Sequence, residues 1–120
     1  MSDLFKDLHD IVVSRQEEKE EGSYTVYLFE KGLNKILKKV AEESGETLIA
    51  AKTLEAARIS GVGYEEAKEE LVGELGDLIY HLTVLMVESG VTSEEVDELL
   101  RSRMQKKGNL KEMKVVDKNT

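Results

Sequence analysis

The chain has no cysteine, no proline and no tryptophan, and only two of its 120 residues are phenylalanine. Without cysteine there is neither a disulfide nor a thiolate metal ligand. With so few aromatics and no proline, a composition that is 40% apolar suits packed helices better than a sandwich rich in turns. Long apolar runs are missing too, so no segment approaches the ~20 residues of a membrane span. The N-terminus lacks the basic, apolar, small-residue pattern of a secretory signal. Positive charge is scarce: 17 Lys and Arg against 25 Asp and Glu leave a net charge of -8. Nonspecific nucleic-acid binding and anionic-membrane binding both need cationic surface, so this balance argues against either partner. A phosphate-bearing ligand would need cations to mediate its binding. The default is one soluble, cytoplasmic domain with a real but not generous core.

What is present is helical periodicity. Leu4, Leu8 and Ile11, with Phe5 and Val12 beside them, repeat at helical spacing before the charge run "RQEEKEEGS", and this first helix is expected to end near Gly22. A second stretch begins after "SYT" and is interrupted near Gly32 and Asn34. A long helix then runs from about Lys35 to Arg58 with Ile36, Leu37, Val40, Leu48 and Ala51 inward. "ISGVGY", Ile59 to Tyr64, is the clearest loop. A further long helix over Glu65 to Ser89 carries Leu71, Leu75, Leu78, Ile79, Leu82, Leu85 and Met86, with Gly90 as its stop. "TSEEVDELLRSRM" reads as a final helix capped by Thr92 or Ser93. The expectation is an all-α bundle of four to five helices over residues 1–107, followed by a polar, mobile tail over 108–120.

Three strings place two glutamates, two spacers and a glutamate in a row, and helical geometry separates them. "QEEKEEG" has no apolar residue among its acids, and Glu65, Glu66 and Glu69 open a helix, where acids suit the positive end of the macrodipole. In "KKVAEESGETLIAAK", at about 100° per residue, Glu43 lies on the border of the Ile36/Val40/Ala51 stripe, with Lys39 and Glu46 a step further round and Glu42 beyond. On the other long helix Glu70, Glu74, Asp77 and His81 form one row bordering the apolar stripe. Packing the two stripes together brings Glu43 and Glu46 toward Glu74 and Asp77. Ionised carboxylates sharing a cleft need protons or cations. Oxygen ligands without histidine or cysteine favour magnesium or manganese over zinc, and magnesium leaves positions for water and phosphate oxygens. That composition suits hydrolysis of a nucleotide anhydride. The plainer alternative is that both rows are solvated faces laced with pairs such as Lys35 or Lys39 with Glu42 or Glu43.

"SYTVYLFEKGLNKILKKVAEESGETLIAAK" followed by "EELVGELGDLIYHLTVLM" resembles the phosphoribosyl-ATP pyrophosphohydrolase family, within the MazG-like all-α pyrophosphohydrolases, over about Leu4 to Arg103. The resemblance implies a helical bundle completed by dimerisation, magnesium dependence, and cleavage of phosphoribosyl-ATP to phosphoribosyl-AMP and pyrophosphate in histidine biosynthesis. It also implies metal binding by Glu43, Glu46, Glu74 and Asp77, the four chosen by geometry. A water attacking in line would be oriented or deprotonated by Glu42 or Glu46, of which Glu42 is preferred. Lys31, Lys38 and Lys39 are candidates for phosphate oxygens, and Ser23, Tyr24 and Thr25 for sugar-phosphate contacts, although Ser23 or Thr25 serves equally as a helix cap. His81 is expected to buttress a neighbouring carboxylate or to pack in the bundle, and Tyr80 to lie in the core or an interface.

Two features depart from the family pattern. The segment 53–68 looks longer than the family's short connection, suggesting a rebuilt loop over the site. Gly73 and Gly76 stand where alanine-like residues are expected, and Gly45 raises the same question; close helix approach, within the chain or across a dimer interface, would explain them, and so would a merely tolerated weak spot. Two other functions fit the sequence: a MazG-like housekeeping pyrophosphatase acting on nucleoside triphosphates through the same metal site, and a non-enzymatic helical dimerisation module.

Overall fold

A computed structural model describes residues 3–105, so the expected tail over 108–120 lies outside the described residues. Five helices follow one another: α1 (Leu4–Glu18), α2 (Tyr24–Lys31), α3 (Leu33–Ser60), α4 (Tyr64–Ser89) and α5 (Ser93–Met104). There is no strand among the described residues. Local chemistry sets the boundaries. The Asp3 side chain accepts a hydrogen bond from the Lys6 amide, and the Ser23 hydroxyl accepts from the Val26 amide at 3.3 Å, so each shields a free donor of a first turn. Thr92, rather than Ser93, caps α5, in a capping box closed by Glu95. α1 ends at Glu18, four residues before Gly22, because Lys19 already turns into the left-handed region at φ 52°. Gly32, at φ 90°, is the single residue between α2 and α3, a conformation that a side chain would strain.

α3 and α4 form an antiparallel hairpin whose turn is only residues 61–63, with Gly61 and Gly63 both at positive φ. The rebuilt loop expected over 53–68 is therefore not found. With no breaker before Gly61, both helices simply run on, and the turn sits about 20 Å along α3 from Glu46 at ~1.5 Å per residue. Nor does close approach within the chain explain the internal glycines. A Cβ built at Gly45, Gly73 or Gly76 would meet nothing within 4 Å.

The core lies at the end of the hairpin away from the turn. Val12, Leu28, Ile36 and Val84, one from each of the first four helices, are fully buried, with Phe29, Tyr80, Leu85 and Val87 packed against them. Toward the turn the seam is lined by small residues, and Ala50, Ala57 and Ala67 are its buried members. Part of the expected inward stripe is overturned: Ile36 is buried, but Leu37 and Ala51 are exposed and Leu48 is 69% exposed, and Ile49 at 68% and Val72 at 61% are exposed as well. Two helices alone hide one narrow stripe each, so large apolar residues on the flanks of that stripe stay in water. The hairpin thus has a closed half, covered by α1 and α2, and an open half. The acidic residues stand between them.

Candidate metal centre

Glu43 and Glu46 lie one turn apart on α3, and Glu74 faces them from α4. One carboxylate oxygen from each lies within 4.8 Å of the others. Glu43 is 7% exposed, and its Oε2, like that of Glu74, is buried without a hydrogen-bond partner. Thr47 cannot relieve them, because its hydroxyl donates to the Glu43 carbonyl oxygen at 2.7 Å and lies 3.5 Å from that of Glu74. Lys39 supplies partial compensation from the rim, with Nζ at 3.1 Å from Glu42 and 3.8 Å from Glu43. A buried acceptor without a donor is destabilising, and two beside each other at a cluster of carboxylates require a proton or a cation.

The electrostatics record the same conflict. The Glu74 carboxyl is pushed up to about 7, first by its loss of solvent and then by the hydrogen bonds and charges of Glu46 and Glu43. In the unfolded chain this group titrates near 4.5, so between about 4.5 and 7 the folded state holds a proton that the unfolded state has released. Stability in chelator should therefore fall as pH rises through that window and level off above it. Thermal melts at successive pH values check this: Glu74→Gln should flatten the slope, and a wild-type melting temperature that rises over the same range would contradict it.

As a donor set, the cluster fits a hard divalent ion. Its three ligands are carboxylates, two of their oxygens lack a partner, and no nitrogen or sulfur ligand is grouped with them. Asp77, expected as a fourth ligand, is exposed and stands apart from the group, while its main-chain carbonyl is taken by His81. It shares a helix face with Glu74 at i,i+3, but in its present orientation its carboxylate is not in the close set. Glu42 is exposed and paired with Lys39, whose hydrogen bond holds its carboxyl below the usual range. That weakens Glu42, preferred on the sequence, as a proton acceptor, and Glu46 is the one of the two that belongs to the cluster.

The remaining site candidates are placed as follows. Ser23 is the cap of α2. Thr25 is 1% exposed, with its hydroxyl unpartnered inside the protein rather than facing a ligand. Tyr24 reaches across to α4, where its hydroxyl bonds His81 Nε2 at 2.8 Å. His81 does pack in the bundle, but it buttresses a phenol and a backbone carbonyl instead of a carboxylate. Lys39 faces the acids, Lys38 points to solvent, and Lys31 Nζ sits 5.8 Å over the Tyr27 ring. Sequence reasoning missed Tyr27 altogether. It stacks on Tyr24 at 6.2 Å between centroids, and both line a cleft of about 510 Å³ with Ser23, Val26 and Glu30. The i,i+3 spacing in "YTVY" was the available signal.

Residues 5–109 match the family described as phosphoribosyl-ATP pyrophosphohydrolase. A phosphoribosyl-ATP pyrophosphatase of Clostridium novyi is 42% identical over 109 residues, covering 91% of this chain and 88% of the relative. One from Pelotomaculum thermopropionicum is 45% identical over 105 residues, covering 88% and 95%. A histidine biosynthesis bifunctional protein HisIE of Thermoanaerobacter pseudethanolicus is 47% identical over 95 residues, which span 79% of this chain but 38% of that longer protein. An all-α hairpin with acids at its seam and similarity across nearly the whole length converge on one assignment: the chain belongs to the phosphoribosyl-ATP pyrophosphohydrolase family.

Proposed function

We propose that the chain hydrolyses phosphoribosyl-ATP to phosphoribosyl-AMP and pyrophosphate, as a magnesium-dependent step of histidine biosynthesis in the cytoplasm, with manganese able to substitute. The observation that carries this reading is the cluster of Glu43, Glu46 and Glu74 with its two orphaned oxygens, in a chain of this family. Magnesium held there, with Asp77 joining by a change of rotamer, would neutralise the triphosphate and lower the pKa of a bound water. The protein's own part is positional. Glu43 is fixed by burial and by Lys39, and Glu46, exposed at the edge of the cluster, is placed to accept the proton of the attacking water, with Glu42 the weaker candidate. The triphosphate would lie along the Lys38 and Lys39 side of α3, and the stacked Tyr24 and Tyr27 with Lys31 would line the path to the sugars.

A homodimer belongs to the same proposal. Leu48 and Ile49 of α3 and Val72 of α4, on the open half of the hairpin, and Ile79 of α4, past the acids, are each more than half exposed. A second copy of the hairpin would cover them and complete one bundle.

Substrate comparison tests the assignment. Phosphoribosyl-ATP carries a second ribose and a second phosphate that ATP lacks, and a site built to pair them penalises their absence. With magnesium, kcat/KM for phosphoribosyl-ATP should exceed that for ATP by about two orders of magnitude or more. Comparable rates on ATP or deoxynucleoside triphosphates would mean the housekeeping activity. No turnover of any of them, with or without magnesium, would mean a non-enzymatic module.

A further inference from the structure

The cleft at the start of α2 holds two aromatic rings that packing leaves open. Tyr24 is 46% exposed and Tyr27 40%, and the rings stack at 6.2 Å between centroids with 24° between their planes. Buried Val26 lines the same space, whose volume of about 510 Å³ is that of a small-ligand site. A pair of exposed flat rings suits a flat partner. The charges around it say which kind. Glu20, Glu21 and Glu30 line the cleft against a single cation, Lys19, and none of the three carboxylates forms an ion pair among the described residues. Such a rim repels phosphate and attracts positive charge. The tyrosine faces act in the same direction, because the ring quadrupole draws cations. Lys31, with Nζ 5.8 Å over the Tyr27 ring, is not among the residues that line the cleft, so it approaches from outside and leaves the ring open to the space within. Stacked phenols inside an acidic rim select a planar cation.

Adenine alkylated at N1 is one. With carbon on that nitrogen the ring stays neutral only as the 6-imine; a proton on the imine nitrogen restores the aromatic amino form, so the ring takes it up readily and spreads the positive charge. Phosphoribosyl-ATP bears its second ribose there. Its base therefore lies between its two sugars and carries a charge that the base of ATP lacks. Taking the proposed reaction as the source of the ligand, we infer that the Tyr24 and Tyr27 stack binds the cationic N1-alkylated adenine ring, with the rim carboxylates balancing its charge, and that Tyr27 determines specificity for it. The stack adjoins the acids. The Tyr24 hydroxyl lies 2.8 Å from His81 Nε2, His81 Nδ1 lies 2.7 Å from the Asp77 carbonyl oxygen, and the Asp77 backbone is ~4.5 Å along α4 from that of Glu74. A nucleotide with its triphosphate at the carboxylates can thus reach the rings with its base.

Titrating the full chain with N1-methyladenosine and with adenosine, neither of which carries a phosphate or needs a metal, tests the ring site through the NMR shifts of the tyrosine ring protons. N1-methyladenosine should bind about tenfold more tightly, a size within the range of a cation–π contact. N1-methylinosine, which has the same methyl group on a neutral ring, should bind no better than adenosine. Tyr27→Leu should erase the preference and Tyr27→Phe should keep it. Glu30→Gln should reduce it by a smaller factor, since an exposed charge contributes little. Equal affinity of the wild type for N1-methyladenosine and adenosine overturns the inference, and so does a preference that survives in Tyr27→Leu. Equally tight binding of N1-methylinosine overturns it too, because the methyl group and not the charge would then be read. Hydrolysis is scored separately: a chain that cleaves phosphoribosyl-ATP without the preference keeps its reaction and loses the ring site, and a chain with the preference but no turnover keeps the ring site and loses the reaction.

Discussion

Glu43→Gln should lower kcat/KM for phosphoribosyl-ATP by about a thousandfold or more, while the helical fold survives intact. The size follows from position. Glu43 is the buried member of the cluster, and glutamine there would exchange an anionic ligand for a neutral amide in a place with little water to compensate. Charge stabilisation by a catalytic cation is worth several kcal/mol, and ~4 kcal/mol is a thousandfold in rate. Glu46→Gln and Glu74→Gln should act in the same direction. Asp77→Asn asks whether the exposed aspartate swings in: a comparable loss makes it a ligand, and a wild-type rate leaves the three glutamates alone. Folding should respond oppositely. Each substitution removes a member of a repelling group, so melting temperatures in chelator should stay level or rise, and magnesium should raise that of the wild type more than that of any variant. Four variants that all hydrolyse at the wild-type rate would move the active site elsewhere.

The double variant Leu48→Glu/Ile49→Glu should be monomeric and almost inactive at micromolar concentration, where the wild type should have the mass of a dimer. Full burial of a leucine or isoleucine side chain contributes roughly 1.5–3 kcal/mol. Both residues are about two-thirds exposed in the single chain, and a symmetric interface uses each twice. Their loss would remove on the order of 5 kcal/mol or more, a factor of several thousand in the dissociation constant, before the repulsion of four new charges is counted. Sedimentation or light scattering gives the mass. A wild type that is monomeric and fully active would sink the dimer.

Most of the helical frame was legible because its signals are local. The Ser23 and Thr92 caps, the stop at Gly90 and the break at Gly32 each depend on neighbours within a turn. The three glutamates were legible as well, since two apolar stripes that must meet carry their margins with them. Other features depend on what lies across space. Nothing in the sequence said that Leu48 and Ala51 would stay in water, because periodicity marks the apolar side of a helix without saying which chain covers it. The place of Asp77 hung on the orientation of one side chain. The partner of His81 lies two helices away, so the histidine could be read as buried but not as holding Tyr24. Segment 53–68 misled through its composition: "ISGVGY" contains a turn, but only its residues 61–63 form one.

The carboxylates of the cluster all come from one uninterrupted stretch, residues 43–74, folded back on itself by a short turn. The aromatic cleft is built from a different stretch, residues 19–30, ahead of it in the chain. If the acids carry the anhydride chemistry and the cleft the choice of substrate, as proposed, the two are written in separate, consecutive passages of the sequence, joined through contacts such as that of Tyr24 with His81. Such an arrangement lets the two vary independently. On that reading, a change in the helix in front of the hairpin would redirect the enzyme toward another nucleotide without disturbing the acids.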